Sequence, residues 1–126
     1  MIKEKTAYSE ALRYLSNAKQ TLLKAGIKDN SYVDVKYVRT ASGTAYNAAL
    51  IAVDEYLRLR EGAKYTKPKS IDEYRSRIVK HNKKMLSLLN DVYDQLHLAG
   101  YYHGTPSLNT IKLGLANTKS LIEFIK

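Results

Sequence analysis

The chain has 126 residues, a formal net charge of +9 and no cysteine. This length predicts one domain, residues 1–126, that can bury a hydrophobic core. The absence of cysteine excludes disulfides and thiolate metal sites and fits a reducing compartment. The N-terminus lacks an apolar leader, and no apolar run approaches the ~20 residues that span a bilayer. We therefore expect a soluble, cytoplasmic protein without membrane contact.

The first predicted helix begins near Lys3 or Thr6 and ends at Ala25. Its apolar residues recur with the 3.6-residue period of one helix face. They are Tyr8, Ala11, Leu12, Leu15, Ala18, Leu22 and Leu23. Gly26 followed by Ile27 is typical of a helix stop in which glycine takes a left-handed conformation.

The second predicted helix, Ser31 to Gly62, is expected to be the centre of the molecule. Ser31 with Asp34 resembles a capping box, and Gly62 is a typical C-terminal stop. The helix carries a narrow stripe of small residues and a bulkier apolar stripe, which together predict two packing partners. The stripes are Ala41, Ala45, Ala48 and Ala52, and Tyr46, Leu50, Val53 and Leu57.

Two further helices complete the predicted fold. Ser70 and Glu73 form a capping box for a long third helix that ends at Ala99-Gly100. Its apolar stripe is Ile71, Tyr74, Ile78, His81, Met85, Leu88, Val92 and Leu96. Thr105 as N-cap and Pro106 at the first helical position begin the fourth helix. No segment shows a strand pattern.

Four helices joined by short loops predict an all-α, antiparallel up-down four-helix bundle, with two long central helices and two shorter flanking ones. The central hairpin is expected to project beyond the flanking helices, so that its tip, roughly residues 53–78, is only partly covered. The apolar tip residues are Val53, Tyr56, Leu57, Leu59, Tyr65, Ile71, Tyr74 and Ile78. Such a patch favours a homodimer formed through the tip; the alternative is that the helices bend and close over it.

Positive charge is concentrated between Arg58 and Lys84, where ten basic and three acidic residues supply +7 of the net charge of +9. Basic residues interleaved with tyrosines suit single-stranded RNA, because phosphate contacts and base stacking both contribute to binding. The alternative is a solvated face that keeps the hairpin soluble. The candidate binding residues are Arg58, Arg60, Lys64, Lys67, Lys69, Lys80, Lys83, Lys84, Tyr65 and Tyr74.

His81 is the main candidate for acid–base chemistry. A histidine between Ile78 and Met85 on an apolar stripe is either a core residue or a general acid or base, since imidazole titrates near neutral pH. Arg77 lies on the same helical face and could hold a phosphate beside the imidazole. Arg75 would point about 120° away on an unbroken helix. The candidate catalytic residues are therefore Arg75, Arg77 and His81.

A second candidate site is the loop formed by Tyr101, Tyr102 and His103, which precedes a predicted helix N-terminus. Free N–H groups there could bind an anion, which would make the loop a small-molecule site; the alternative is that its tyrosines cover the open end of the bundle. No metal or cofactor is predicted, because the paired Glu-x-x-His motifs of di-metal bundles do not occur. The isolated polar residues Arg39, Asn47 and His97 have no predicted role.

Two segments, ALRYLSNAKQTLLKAG and YVDVKYVRTASGTAYNAALIAVDEYL, resemble the first two helices of HEPN-type bundles. They are more similar still to a small uncharacterised bacterial domain family that shares that bundle. Many HEPN proteins are dimeric, and a subset are RNA-cleaving toxins or nucleotide-binding modules. The ribonucleases carry Arg, four to six residues, then His, a pattern that Arg75 and His81 match with five residues between them.

These observations favour an HEPN-like bundle that acts as a non-catalytic, homodimeric interaction module. The alternative is a protein that binds or cleaves RNA through the basic hairpin. The position of His81 separates the two, because core burial favours the first and a cleft shared across a dimer favours the second.

Overall fold

The computed structural model describes residues 6–126, which fold mostly into helices. The α-helices are α1 (Ala7–Leu23), α2 (Val35–Glu61), α3 (Ile71–Ile78), α4 (Lys83–Val92) and α5 (Leu108–Glu123). A 3₁₀ turn, Gly62–Lys64, follows α2, and a π-helical segment, Tyr93–Tyr102, continues α4. The predicted all-α class is confirmed, although the described residues form five α-helices where the sequence predicts four. No helix in this part of the chain is long and apolar enough to cross a membrane.

A short β-hairpin joins α1 to α2. β1 (Ile27–Lys28) and β2 (Ser31–Tyr32) are antiparallel, and the turn residues Asp29 and Asn30 have φ angles of 52° and 61°. Aspartate and asparagine tolerate this left-handed conformation, which tight hairpin turns require. The predicted start of α2 at Ser31 is therefore wrong. Its N-cap is Asp34, whose carboxylate accepts a hydrogen bond from the Lys36 amide at 3.1 Å.

The start of α1 follows one of the two predicted positions. The Thr6 hydroxyl accepts a hydrogen bond from the Ser9 amide at 3.0 Å and caps the helix. The other predicted start, near Lys3, lies outside the described residues. Gly26 has a φ of 69°, as the predicted stop after α1 requires.

α2 is the central helix, as the sequence predicts, and contacts α1, α3, α4, α5 and the π-helical segment. The four alanines of its narrow stripe are at most 1% exposed. α1 packs along α2 with its own small residues Ala11 and Ala18 fully buried. Small side chains allow the two helix backbones to approach closely, and this forms the first half of the core.

The predicted exposed tip is wrong. Val53, Leu57 and Ile78 are 0% exposed, and Tyr56 and Tyr74 are 5% and 7% exposed. Of the remaining predicted tip residues, Tyr65 and Ile71 are half-buried against the core and Leu59 is exposed. The chain closes over the tip because α3 packs on α2 instead of extending beyond it. The apolar patch through which the homodimer was predicted to form is therefore mostly buried within the chain. The homodimer itself stays a prediction.

The third predicted helix is broken at residues 79–82. The Ile78 carbonyl accepts hydrogen bonds from the amides of both His81 and Asn82, each at 2.9 Å. Asn82 then caps α4 by accepting a hydrogen bond from the Met85 amide at 2.9 Å. Its side-chain amide also donates to the Tyr56 hydroxyl of α2 at 3.4 Å, which ties the break to the central helix.

The π-helical segment brings the chain close to α2 before α5 begins. Gly100 is required there, since a Cβ at this position would overlap the side chain of Ser42. The predicted cap of the last helix at Thr105 is wrong by two residues. Ser107 is the N-cap of α5 and accepts a hydrogen bond from the Thr110 amide at 3.2 Å.

Candidate functional site

A basic surface pocket forms where α2 ends and the chain breaks between α3 and α4. Its volume is about 570 Å³. The pocket combines four cationic side chains with two carboxylates and an imidazole. The lining residues are Arg60, Glu61, Lys64, Thr66, Glu73, Arg77, Lys80 and His81.

Arg77 forms the inner wall of this pocket and is only 14% exposed. Its guanidinium donates to Glu61 at 2.5 Å, to Glu73 at 2.8 Å and to the carbonyl of Thr66 at 2.6 Å. The hydrogen bond from Arg77 lowers the pKa of Glu61, and His81 contributes in the same direction. Arg77 thereby joins the end of α2, the connection after it and α3.

His81 lies at the rim of the pocket and not in the core. Its side chain is 27% exposed, and Nε2 is 3.6 Å from a carboxylate oxygen of Glu61. The predicted position inside a continuous helix is therefore wrong, because residue 81 belongs to the break. Glu61 thus lies between His81 and Arg77 and contacts both.

Arg75 is separated from the other two candidate catalytic residues. It donates to Asn90 at 2.8 Å and to Asp72 at 3.1 Å. Its guanidinium lies 4.7 Å from the ring centroid of Tyr93. Arg75 therefore fastens α3 to α4 and the π-helical segment, whereas Arg77 faces α2.

The lysines of the predicted binding surface differ from its arginines in their partners. Arg58 pairs with Glu55 at 2.6 Å, and Arg75 and Arg77 pair as described above. Six lysines are exposed or line a pocket, and none forms an ion pair with any residue from 6 to 126: Lys64, Lys67, Lys69, Lys80, Lys83 and Lys84. Arg60 also lacks a carboxylate partner there and lies 4.8 Å from the ring centroid of Tyr56. Most of the positive charge on this surface that lacks a carboxylate partner is therefore carried by lysine side chains.

Neither tyrosine of the predicted binding surface presents an open ring. Tyr74 is 7% exposed. Tyr65 is half-buried, and its hydroxyl forms a short hydrogen bond to the carboxylate of Asp54. Burial, together with this bond, raises the pKa of Tyr65. The bond to Asp54 fastens Tyr65 to α2, and neither tyrosine offers an open ring face.

The candidate ligand loop is closed by Arg39, a residue that had no predicted role. The Arg39 guanidinium donates to the carbonyls of Tyr101, Tyr102 and His103, at 3.3, 2.8 and 3.4 Å. These contacts turn the loop's backbone toward α2. The side chain of Tyr102 points outward and is 66% exposed, whereas the Tyr101 ring lies beside Gly43 of α2 and Tyr101 is 51% exposed.

An aromatic row, defined as Tyr46, Tyr93, His97 and Tyr101, lies along the π-helical segment. His97 is its centre, with ring centroids 4.8 Å from Tyr46, 5.0 Å from Tyr93 and 6.1 Å from Tyr101. A pocket of about 280 Å³ beside the row is lined by Gly43, Tyr46, Asn47, His97 and Tyr101. The sequence signal for this site is the spacing of positions 93, 97 and 101, which repeats at one helical turn.

The fold and the basic pocket define a small all-α domain with a cationic surface beside a helix break. A family model, Domain of unknown function (DUF5618), matches residues 6–126, and the chain belongs to this family. It is similar to a solved structure, a protein of unknown function from Dyadobacter fermentans, with 38% identity over 94% of this chain and 92% of that chain and a TM-score of 0.82. No curated protein matches the chain. The predicted kinship with an uncharacterised family is confirmed, and the HEPN-like assignment stays a prediction.

Proposed function

We propose that this protein is a non-catalytic module that binds single-stranded RNA through the lysine-rich surface around the α3–α4 break. The observation that carries the proposal is the difference between its lysines and its arginines. Three of the four arginines between Arg58 and Lys84 already have carboxylate partners, whereas the six lysines have none among the described residues. An unpaired lysine is free to neutralise a phosphate and release its counterions, which is the main source of sequence-independent affinity.

The basic pocket suits a phosphate group of such a chain. Lys64, Lys80 and Arg60 line it, and both of its carboxylates are engaged by Arg77. The net charge of the lining is therefore positive even when His81 is neutral. A phosphate in the pocket would meet mobile lysine ammonium groups at the rim and a fixed arginine at the wall.

The absence of catalysis is proposed because four of the five N–H groups of Arg77 donate within the protein. Its Nε, Nη1 and Nη2 atoms all donate to protein oxygens. An arginine that stabilises a transition state has to offer donors to the substrate, and releasing Arg77 would leave Glu61 and Glu73 without their partner.

RNA cleavage is the second candidate function, and one observation favours it. His81 lies at the pocket rim with a carboxylate 3.6 Å away, an arrangement that could orient an imidazole for proton transfer. Incubating the protein with labelled RNA and examining the products on a denaturing gel tests this function. Cleavage that is lost in His81→Ala would replace the binding proposal with a catalytic one; intact RNA would contradict cleavage.

The binding proposal is tested by titrating the protein into labelled single-stranded RNA and measuring fluorescence anisotropy at low and near-physiological salt. We expect salt-dependent binding that is abolished by the triple variant Lys80→Glu, Lys83→Glu and Lys84→Glu. The matched control reverses Lys19 on α1, Lys24 at its C-cap and Lys28 in β1, which are all exposed. Each triple variant lowers the net charge from +9 by six, to +3, since each reversal removes two positive charges. Equal weakening by both variants, or none by either, would contradict a localised binding surface.

A further inference from the structure

We infer that the aromatic row and the pocket beside it form a nucleobase-stacking site. The inference rests on the proposed function, because it assigns the place where a base of the bound RNA would stack. A free nucleotide carries the same aromatic bases and would stack at this site in the same way. The site lies on α2 and the π-helical segment and uses none of the lysines of the basic surface.

The first support is the geometry of the rings. Tyr93, His97 and Tyr101 follow one another at successive turns of the π-helical segment, and His97 is 14° from parallel with Tyr101. Tyr101 ends the row and is 51% exposed, so an aromatic surface is open to solvent at that end. Stacking on aromatic side chains is the main way in which proteins hold unpaired bases, because every base has a π-face. π-helical turns occur frequently at functional sites.

The second support is the way in which α2 accommodates Tyr101. A Cβ at Gly43 would lie 3.1 Å from Cδ1 of Tyr101, so the ring packs directly against the helix backbone at this glycine. Glycine in the interior of a helix lowers its stability relative to alanine. At position 43 it allows Tyr101 to line the pocket edge together with Tyr46.

Asn47 supplies the polar group that a base requires. It lines the pocket, is exposed, and its amide makes no hydrogen bond to any other residue between positions 6 and 126. An asparagine amide can donate to and accept from the edge of a base. The pocket volume of about 280 Å³ suits one planar ring system and not a large ligand.

The site is continuous with the basic surface. Asn47 also lines a neighbouring pocket that extends along α2 past Leu50 and Asp54 to Lys67. Lys67 is one of the six unpaired lysines. An RNA strand that crosses the basic surface therefore has a groove that leads from Lys67 to the aromatic row.

The test compares two polymers of equal length and charge, a single-stranded RNA and an abasic oligonucleotide. We expect Tyr101→Ala to weaken RNA binding about tenfold, as is typical for the loss of one stacked base, and to leave the abasic affinity unchanged. Gly43→Ala should act in the same direction because it displaces the Tyr101 ring. Tyr102→Ala is the matched control, since this neighbouring tyrosine is 66% exposed and lies outside the row.

Two outcomes would overturn the inference. One is unchanged RNA affinity in both Tyr101→Ala and Gly43→Ala. The other is equal weakening on RNA and on the abasic polymer, which would indicate a general loss of charge contacts. Reversal of Lys80, Lys83 and Lys84 should instead weaken both polymers, so failure of the proposed function is distinguishable from failure of the stacking site.

If the wild-type protein binds no RNA, the stacking site is tested by a separate measurement. Saturation-transfer NMR with adenosine 5′-monophosphate and ribose 5-phosphate then tests the site directly. A signal on the adenine protons that is lost in Tyr101→Ala assigns the site to free nucleotides, whereas no signal from adenine overturns it.

Discussion

Arg77 and Glu61 form the ion pair that fastens α3 to the end of α2. Their side chains are 14% and 18% exposed, and the closest distance from guanidinium nitrogen to carboxylate oxygen is 2.5 Å. The pair bridges sixteen residues of sequence. It fixes the wall of the basic pocket and holds the connection in which Lys64 and Lys67 lie.

Replacing Arg77 with alanine should lower the free energy of unfolding by about 2 kcal/mol, because two carboxylates and a carbonyl lose a charged donor in a largely buried position. Urea denaturation followed by circular dichroism measures the change. Arg58→Ala is the control: Arg58 also pairs with a glutamate, but its side chain is 54% exposed. Exposed ion pairs contribute little, so this variant should remain close to wild type, and an equal loss in both would contradict a special role for Arg77.

Stability should fall at acid pH through Glu61. Its pKa in the folded protein is lowered from an ordinary value of 4.5, chiefly by the hydrogen bond from Arg77. A lowered folded-state pKa adds stability that is complete above the unfolded-state pKa and is lost as the pH falls through the folded-state value. Unfolding free energies measured from pH 7 down to pH 3 should show this loss, and Glu61→Gln should flatten the curve. The exposed Glu123, whose pKa is lowered by Lys119, provides the comparison: Glu123→Gln should alter the curve less.

Ser42→Ala should stabilise the protein by about 1 kcal/mol. Ser42 is fully buried on α2, and its hydroxyl has no hydrogen-bond partner among residues 6–126. Removing an unsatisfied buried polar atom relieves its desolvation cost. Thr118→Val is the matched opposite case, because the buried Thr118 hydroxyl donates to the Gly114 carbonyl at 2.9 Å. Thermal and urea unfolding should show opposite signs for the two variants; the same sign in both would contradict this reasoning.

Tyr46 should be among the last tyrosines to ionise. Burial raises its pKa from 10.0 to about 12, and the neighbouring Tyr93 adds to the effect. Since the folded-state pKa is raised, the stability it contributes is complete below pH 10 and is lost as the pH rises toward 12. NMR titration of the tyrosine ring carbons measures the shift, with Tyr46→Phe identifying the signal. Ionisation of Tyr46 near the ordinary pKa of 10.0 would contradict the burial of its ring.

Much of the helical arrangement could be read from local chemistry. Thr6 caps α1 and Ser70 caps α3, each by a side-chain oxygen that accepts from the third residue along. The stripe of alanines on α2 predicted a central helix with close neighbours, which the structure confirms. These features depend on residues within one or two turns of each other, so their pattern is visible in the sequence.

The break after α3 was hidden because the apolar spacing continues through it. Ile78 and Met85 are seven residues apart and both fully buried, as they would be on one unbroken helix. Asn82 was the available signal, since asparagine is a preferred N-cap residue. The hydrogen bond from Asn82 to Tyr56 of α2 ties the break to the central helix. This contact joins residues far apart in the chain, so the local sequence around Asn82 does not reveal it.

By itself, the sequence determined the helical class, the caps of α1 and α3, the glycine stop of α2 and the concentration of positive charge between residues 58 and 84. Only the tertiary structure decided which charges are compensated and which rings meet. Contacts between separate elements pair Arg77 with Glu61 and place Tyr46 of α2 beside His97. The physical reason is range: capping and periodicity act within a few residues, whereas the partners of a long side chain depend on how whole helices pack.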